Sequence, residues 1–109
     1  MKTYFLLLDL KNHPEVIEAY EAHHKPIPEA IRQTILEAGV TRMDIYRFSN
    51  RLLMHMETID DFSFEEKSKK DAANPVVQAW ENLMATFQQL IPGTPEGSKW
   101  VLTNKIFEL

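Results

Sequence analysis

The order of strand and helix signals constrains this chain most strongly, because it leaves few ways to build a sheet. A continuous apolar run at residues 3–10 predicts a strand buried on both faces. A helical pattern follows from Pro14, a second begins at Pro28, and Gly39 ends the second. The beginning of the chain therefore predicts one strand followed by a pair of helices.

The middle of the chain predicts a β-hairpin and a short helix. Residues 41–48 and 52–58 have strand patterns and are joined by a short turn. The adjacent Asp60 and Asp61 are predicted to cap a helix at residues 62–70, whose surface is charged. This segment therefore adds two strands and begins a second group of helices.

The end of the chain predicts the longest helix and a last strand. Asn74 and Pro75 form a strong helix start, and a wide apolar face continues to Ile91. Residues 100–109 then predict a strand with apolar side chains on both parities. The complete order is β-α-β-β-α-β, which is the pattern of a ferredoxin-like α+β fold with a four-stranded antiparallel sheet.

Such a sheet has helices on only one face, so its other face needs a cover. Because the predicted strands carry apolar side chains on both parities, a second copy of the chain is the simplest cover. We therefore expect residues 1–109 to form one domain. We also expect a homodimer in which the two sheets face each other or share an edge, as in a dimeric α/β barrel.

Composition and missing motifs exclude several functions. The net charge is −4 with acids and bases interleaved, so nucleic-acid binding is not expected, and the absence of cysteine excludes thiolate chemistry. The first apolar run is too short for a membrane span or an ordinary signal peptide, which predicts a cytoplasmic protein without membrane association. No metal-binding histidine spacing, phosphate-binding glycine loop or nucleophilic serine motif is present, so no metal or cofactor is expected.

The first candidate site is Tyr20-x-x-x-His24, directly before a proline-rich break. A histidine at a helix end is held in place yet reachable, and its ordinary pKa of about 6.5 suits proton transfer. Tyr20 lies one turn away and can orient a hydroxylated ligand. A surface histidine beside a packed tyrosine is the commoner interpretation, and the pattern does not distinguish His24 from its neighbour His23.

The second candidate is the pair Trp80 and Glu81 on the long helix. Core packing is the ordinary role of such a tryptophan. An aromatic ring can also pack on the C–H face of a sugar, while a neighbouring carboxylate accepts hydrogen bonds from sugar hydroxyl groups.

The third candidate lies on the hairpin, where Arg42, Asp44 and Tyr46 alternate and so project from one face of the strand. They could line a polar pocket, although a solvated charged face is commoner. His55 is a lone histidine in an apolar strand, and we interpret it as structural.

Together these residues resemble the L-rhamnose mutarotase family over nearly the whole chain. The resemblance rests on Tyr20-x3-His24-x-Pro26-Ile27, on the hairpin, on Gln78-Ala79-Trp80 and on the terminal residues 105–109. It implies a dimeric ferredoxin-like protein that needs no metal or cofactor and exchanges the anomers of 6-deoxy-L-hexoses. It also implies that His24 is the proton-donating histidine, Tyr20 binds substrate and Trp80 is the first of two tryptophans lining the sugar site.

Three departures from the family pattern favour a substrate other than L-rhamnose. A tryptophan is missing between Ile27 and Pro28, Met43 replaces a tyrosine, and Glu81 replaces the second tryptophan. The chain also resembles a sister branch that is associated with L-fucose mutarotation. This resemblance rests on residues 42–47, residues 50–52, Trp80-Glu81 and Lys99-Trp100. L-Fucose is therefore the expected substrate.

The resulting hypothesis assigns a role to each candidate residue. His24 is the main acid and base, and Asp44 and Glu81 are candidates for a second proton carrier or for binding hydroxyl groups. Tyr20 and Trp80 position the sugar, and Arg42 contributes to its binding. The alternatives are an L-rhamnose mutarotase, a cofactor-free monooxygenase of the same fold, whose pocket would be mostly apolar, and a sugar-binding module without catalysis.

Overall fold

A computed structural model describes all residues from 1 to 109. The elements, in chain order, are β1 (Lys2–Leu10), α1 (Pro14–Ala22), α2 (Glu29–Glu37), β2 (Val40–Phe48), β3 (Arg51–Thr58), α3 (Phe64–Ala72), α4 (Pro75–Ala85), β4 (Gln88–Gln89) and β5 (Val101–Leu102). None of the four helices has the length and apolar character that crossing a membrane requires.

The strands form one antiparallel sheet in the order β2-β3-β1-β4, and β5 also pairs with β1. The two longest pairings are β1 with β3 and β3 with β2. This α+β architecture is the predicted ferredoxin-like one, in which β1 and β3 are the central strands.

The two faces of the sheet differ sharply in burial. Leu6, Leu8 and Leu10 of β1 are buried, whereas Phe5 on the alternate parity is 45% exposed and Leu7 is half-buried. Because the helices pack on one face only, the prediction that both faces of β1 are buried is wrong within a single chain. The helix-free side of the sheet, the open face, carries Phe5, Leu7, Asp44, Tyr46, Leu53 and His55.

The core beneath the helices has two adjoining clusters. The first consists of Leu6, Val40, Met54, Met56 and Phe62, and the second of Leu10, Tyr20, Leu52 and Met84. Trp100 packs against both clusters. The core therefore joins the sheet to α1, α2 and α4, whereas α3 contributes no buried residue.

The predicted last strand is largely wrong. Only Val101–Leu102 pairs as a strand, beside Leu6 and Leu7, and Gln88–Gln89 occupies the same edge of β1 farther along. After Thr103 the chain has no strand partner, and the tail of residues 104–109 carries exposed Ile106, Phe107 and Leu109. Two short strands thus share the place predicted for one long strand.

Two predicted helix boundaries are also wrong. Helix α4 ends at Ala85 rather than Ile91, because the chain turns at Thr86 and enters β4. Helix α3 begins at Phe64 and is capped by Ser63, whose hydroxyl accepts a hydrogen bond from the Glu66 N–H, rather than by the predicted aspartates.

Gly39 ends α2 as predicted, and the structure shows why glycine is required there. Its φ is +98°, a left-handed conformation that side chains rarely adopt. A Cβ atom at this position would also lie 2.8 Å from the Ile59 side chain. Both constraints require glycine at the tight turn that connects α2 to β2.

Candidate active site

A cavity of about 610 Å³ lies between the inner face of the sheet and the helices. This volume falls in the range of small-molecule sites. Its apolar floor comes from the strands and includes Leu6, Met43, Ile45, Met54 and Met56. Its walls add aromatic and polar side chains, namely Tyr20, His24, Lys67, Asp71, Gln78, Trp80, Glu81, Gln88 and Trp100.

His24 lies just beyond the C-terminal end of α1 and lines this cavity. Its Nδ1 is 2.7 Å from the carbonyl oxygen of Tyr20. Because a carbonyl oxygen only accepts, Nδ1 carries a proton and donates it in this hydrogen bond. In the neutral ring the other nitrogen, Nε2, therefore has a free lone pair to exchange protons.

The surroundings of His24 favour its neutral form. Burial lowers the pKa of His24 from its ordinary value, the hydrogen bond to the Tyr20 carbonyl opposes this shift, and the charge of His23 adds to it. Desolvation has this effect because it penalises the charged imidazolium. At neutral pH the ring is therefore mainly a base.

Tyr20 is held rigidly beside that ring. Its side chain is only 4% exposed, and its ring centroid lies 4.4 Å from that of His24. Burial raises the pKa of Tyr20 to about 12, although the nearby Gln88 side chain partly opposes the rise. Tyr20 thus remains a neutral phenol, able to donate or accept a hydrogen bond but not to act as a base near neutral pH.

Trp80, on α4, also lies beside His24. The two ring centroids are 5.6 Å apart, with an edge-on arrangement of 63°. Trp80 is half-buried and lines the cavity, so one part of the indole packs in the protein while another remains available to a ligand. Trp80 therefore both packs against the core and lines the cavity.

Glu81 also lines the cavity and is half-buried. The Gln78 amide nitrogen donates to the Glu81 carboxylate at 3.3 Å and to the Asp71 carbonyl oxygen at 2.9 Å. Since a carboxylate can accept about four hydrogen bonds, most of the accepting capacity of Glu81 is left for a hydroxylated ligand.

Other cavity residues were missed by the sequence interpretation. Lys67 and Asp71 form a half-buried ion pair one helical turn apart on α3 and line the cavity beside Gln78. Gln88 also lines it, at the place where the long helix was predicted to continue. The spacing of Lys67 and Asp71 was a usable signal for the ion pair, but nothing in the sequence placed it on a cavity wall.

Arg42 and Asp44 are not brought together with His24. They lie on the open face, where the Arg42 guanidinium is 3.5 Å from Asp44 and 4.0 Å from Glu57. The intervening side chains, Met43 and Ile45, face the cavity instead. Strand alternation therefore separates Arg42 and Asp44 from the other candidates by the thickness of the sheet.

His23 and His55 are also outside the cavity lining. His23 is exposed and lies against the rings of Phe87 and Trp80, at 5.5 and 6.4 Å. His55 stacks on Phe5 on the open face, with ring centroids 4.9 Å apart. Of the four histidines in the sequence, His24 is the one that combines burial with access to the cavity.

The cavity can therefore hold a small ligand that has both hydroxyl groups and an apolar face. An imidazole and a neutral phenol meet at one part of the wall, and carboxylate and amide groups occupy another. The side chains form no group of three or more His, Asp or Glu residues that could hold a metal ion. The fold and cavity define a small ferredoxin-like α+β enzyme with an aromatic and polar site.

Comparison with known proteins identifies the family. A family profile described as L-rhamnose mutarotase matches residues 3–109, and the chain belongs to this family. The chain is similar to an L-fucose mutarotase of Xanthomonas campestris pv. campestris, with 37% identity over 94% of this chain and 84% of the relative. It is also 31% identical to a UPF0734 protein of Dictyostelium discoideum, over 99% of this chain and 90% of that protein.

Solved structures agree on the fold. The crystal structure of an L-rhamnose mutarotase from Formosa agariphila has a TM-score of 0.72 and 19% identity, covering 100% of this chain and 99% of the other. Tetracenomycin F2 cyclase from Streptomyces glaucescens, a type II polyketide cyclase, has a TM-score of 0.66 and 18% identity with the same coverage. The protein is thus a sugar mutarotase of the rhamnose and fucose type, an isomerase acting on sugar anomers.

Proposed function

We propose that this protein interconverts the α and β anomers of L-fucose, with His24 as the main proton carrier. The observation that carries the proposal is the anchored imidazole: Nδ1 is fixed on the Tyr20 carbonyl, and the ring lines the cavity with Nε2 free. The choice of L-fucose is supported by the 37% identical relative of that name.

The reaction needs only proton transfers. Neutral His24 takes the proton of the anomeric hydroxyl, the O–H electron pair becomes part of the C1 carbonyl, and the C1–O5 pair returns to the ring oxygen. The imidazolium formed on His24 then donates this proton to the ring oxygen, so His24 is neutral again in the open-chain state. Glu81 accepts hydrogen bonds from sugar hydroxyl groups. After rotation of the aldehyde, the same transfers run in reverse and close the ring on its other face, so no group, electron or proton is consumed. A well-placed proton carrier contributes about 10²–10⁴-fold to such a step.

The remaining cavity residues would bind and orient the sugar. Tyr20 offers a neutral hydroxyl beside His24, and Trp80 offers an aromatic surface for the apolar face of the ring. Met43 belongs to the apolar floor, which suits the methyl group of a 6-deoxy sugar. Arg42 and Asp44 have no part in this proposal as sugar-binding residues, since they lie across the sheet.

The proposal includes a homodimer formed through the open face. Phe5 and Tyr46 are 45% and 56% exposed there, and the apolar tail residues are exposed as well. The charged groups on this face are largely paired, including a bidentate Arg51–Asp9 contact at 2.8 and 3.1 Å. Because its charges are largely paired and its other side chains are apolar, this surface can pack against the same surface of a second copy without strong electrostatic repulsion.

We place this activity in the cytoplasm and assign it to the whole of residues 1–109 as one domain. A chain without cysteine suits a reducing compartment. The cavity draws side chains from elements throughout the chain, from Leu6 to Trp100, so the site depends on the complete fold.

Saturation-transfer proton NMR tests the proposal. Catalytic amounts of wild-type protein are added to equilibrium mixtures of L-fucose, L-rhamnose and D-glucose, and the exchange between anomer signals is measured. We expect L-fucose to exchange fastest, L-rhamnose more slowly and D-glucose at the uncatalysed rate. Faster exchange of L-rhamnose would replace the proposed substrate with that sugar. Unchanged exchange of all three with folded protein would overturn the catalytic proposal and favour a binding module or the monooxygenase.

A further inference from the structure

We infer that Gln88 binds the substrate directly, with its side-chain carbonyl oxygen accepting a hydrogen bond from a sugar hydroxyl beside Tyr20. The inference rests on the proposed function, because it assigns the sugar to the same cavity. Its starting point is an unusual atom: Gln88 Oε1 is buried and has no hydrogen-bond partner, and no other buried side-chain oxygen or nitrogen shares this condition.

The backbone holds Gln88 firmly in this position. Gln88 pairs with Leu10 of β1, and the preceding Phe87 carbonyl oxygen accepts a hydrogen bond from the Lys11 N–H at 2.9 Å. Alternation then directs Gln88 to the cavity, whereas Gln89 pairs with Asp9 and is exposed. The short strand β4 thus fixes one glutamine in the site and leaves its neighbour outside it.

A buried carbonyl oxygen without a donor costs folding free energy, because it has lost its hydrogen bonds to water. Such groups are rare in native proteins and call for an explanation. An apolar side chain of similar size would avoid this cost at the same position. The presence of the polar Gln88 side chain at this position is explained if a hydroxyl group of the bound ligand supplies the missing hydrogen-bond donor.

The neighbourhood of Gln88 fits a sugar hydroxyl. The Gln88 amide lies beside the Tyr20 phenol, whose ring in turn packs 4.4 Å from that of His24. A hydroxyl group both donates and accepts, and the Gln88 carbonyl and the neutral Tyr20 hydroxyl offer the two complementary partners. The pair therefore selects a hydroxylated ring at the part of the cavity where proton transfer takes place.

A site built around such a pair discriminates by hydroxyl groups. When a ligand lacks the matching hydroxyl, the buried carbonyl oxygen remains unsatisfied in the complex, and binding is penalised. Gln88 is thus a specificity-determining residue as well as a binding residue.

The test compares Gln88→Leu with the matched control Gln89→Leu. We expect Gln88→Leu to lower kcat/KM for L-fucose anomer exchange by about 10- to 100-fold. We also expect its melting temperature to rise above that of the wild type, because the unsatisfied amide is gone. Gln89→Leu should keep both the exchange rate and the melting temperature near wild-type values. A glutamine with a purely structural role would instead lose stability when replaced.

Failure of this inference is distinct from failure of the proposed function. If wild-type protein exchanges L-fucose and Gln88→Leu matches it within about twofold, the inference is overturned while the function stands. If wild-type protein catalyses no exchange, titration calorimetry with L-fucose decides. Weaker binding by Gln88→Leu than by wild-type protein supports the contact, and equal binding or no binding by either protein overturns it.

Discussion

At the residue scale, the difference between His23 and His24 shows how much of the site the sequence could predict. Two adjacent histidines at a helix end have the same local pattern, so periodicity could not choose between them. Only the resemblance to a family favoured His24. The structure separates them physically, because His24 is half-buried with Nδ1 on the Tyr20 carbonyl and His23 is exposed.

The direction of the His24 pKa shift predicts a pH profile. Burial lowers the pKa of His24 below its ordinary value of 6.5, and the neutral ring is the proposed base. The kcat/KM of L-fucose exchange should therefore be flat through neutral pH and fall as the pH decreases through a value below 6.5. NMR exchange rates measured across the acidic range, corrected for the uncatalysed rate, check this. A catalysed rate that declines as the pH rises above 6.5 would contradict it.

Arg42 and Asp44 illustrate a different limit. Their alternation correctly predicted that they share one face of β2, but alternation does not say which face looks toward the helices. The intervening Met43 and Ile45 belong to the cavity floor, so the two charged residues lie on the open face. A sequence pattern fixed their relative placement and left their absolute placement undetermined.

At the scale of elements, long and strongly patterned segments were predicted well. The first strand, the hairpin and the starts of α1, α2 and α4 lie where the pattern put them. Their signals are local, because they depend on apolar spacing, proline at the first helical turn and glycine beyond the helix end.

Elements created by tertiary contacts were not predicted. The apolar residues beyond Ala85 continue a helical pattern, yet Gln88 and Gln89 pair with β1. A two-residue strand has too few positions to show alternation, so no sequence signal could reveal it. Because β4 was not predicted, Gln88 was missed as a residue of the cavity wall.

The charged helix α3 shows a similar limit of sequence-based prediction. Its composition predicted a solvated surface, and most of its residues are exposed as expected. Lys67 and Asp71, however, form their ion pair on the wall of the cavity. Which turn of a polar helix faces a cavity depends on packing against α4, which the charge pattern does not encode.

At the scale of the whole molecule, the open face is the largest feature that a single chain leaves unexplained. The predicted burial of both sheet faces fails within one chain, and the apolar residues of the tail have no cover. A second copy accounts for both observations. The continuous apolar run that misled the prediction for one chain then becomes the expected pattern for a strand buried in a dimer.

The dimer proposal predicts a mass of about 25 kDa by light scattering after gel filtration, twice the 12.7 kDa of the chain. Leu53→Glu places a charge between Leu7 and Tyr46 on the open face and should shift the protein toward the monomer. Leu36→Glu is the matched control, since Leu36 is exposed on α2 on the helical side. A wild-type monomer, or equal behaviour of the two variants, would contradict an interface on this face.

His24 as the proton carrier is the central claim about this protein, and one measurement tests that assignment. Anomer exchange of L-fucose is compared by saturation-transfer NMR for wild-type protein, His24→Gln and His23→Gln, with folding of each verified by circular dichroism. We expect His24→Gln to lose about 10²–10⁴-fold in catalysed rate and His23→Gln to remain near the wild-type rate. A folded His24→Gln protein that exchanges L-fucose as fast as the wild type would contradict the account.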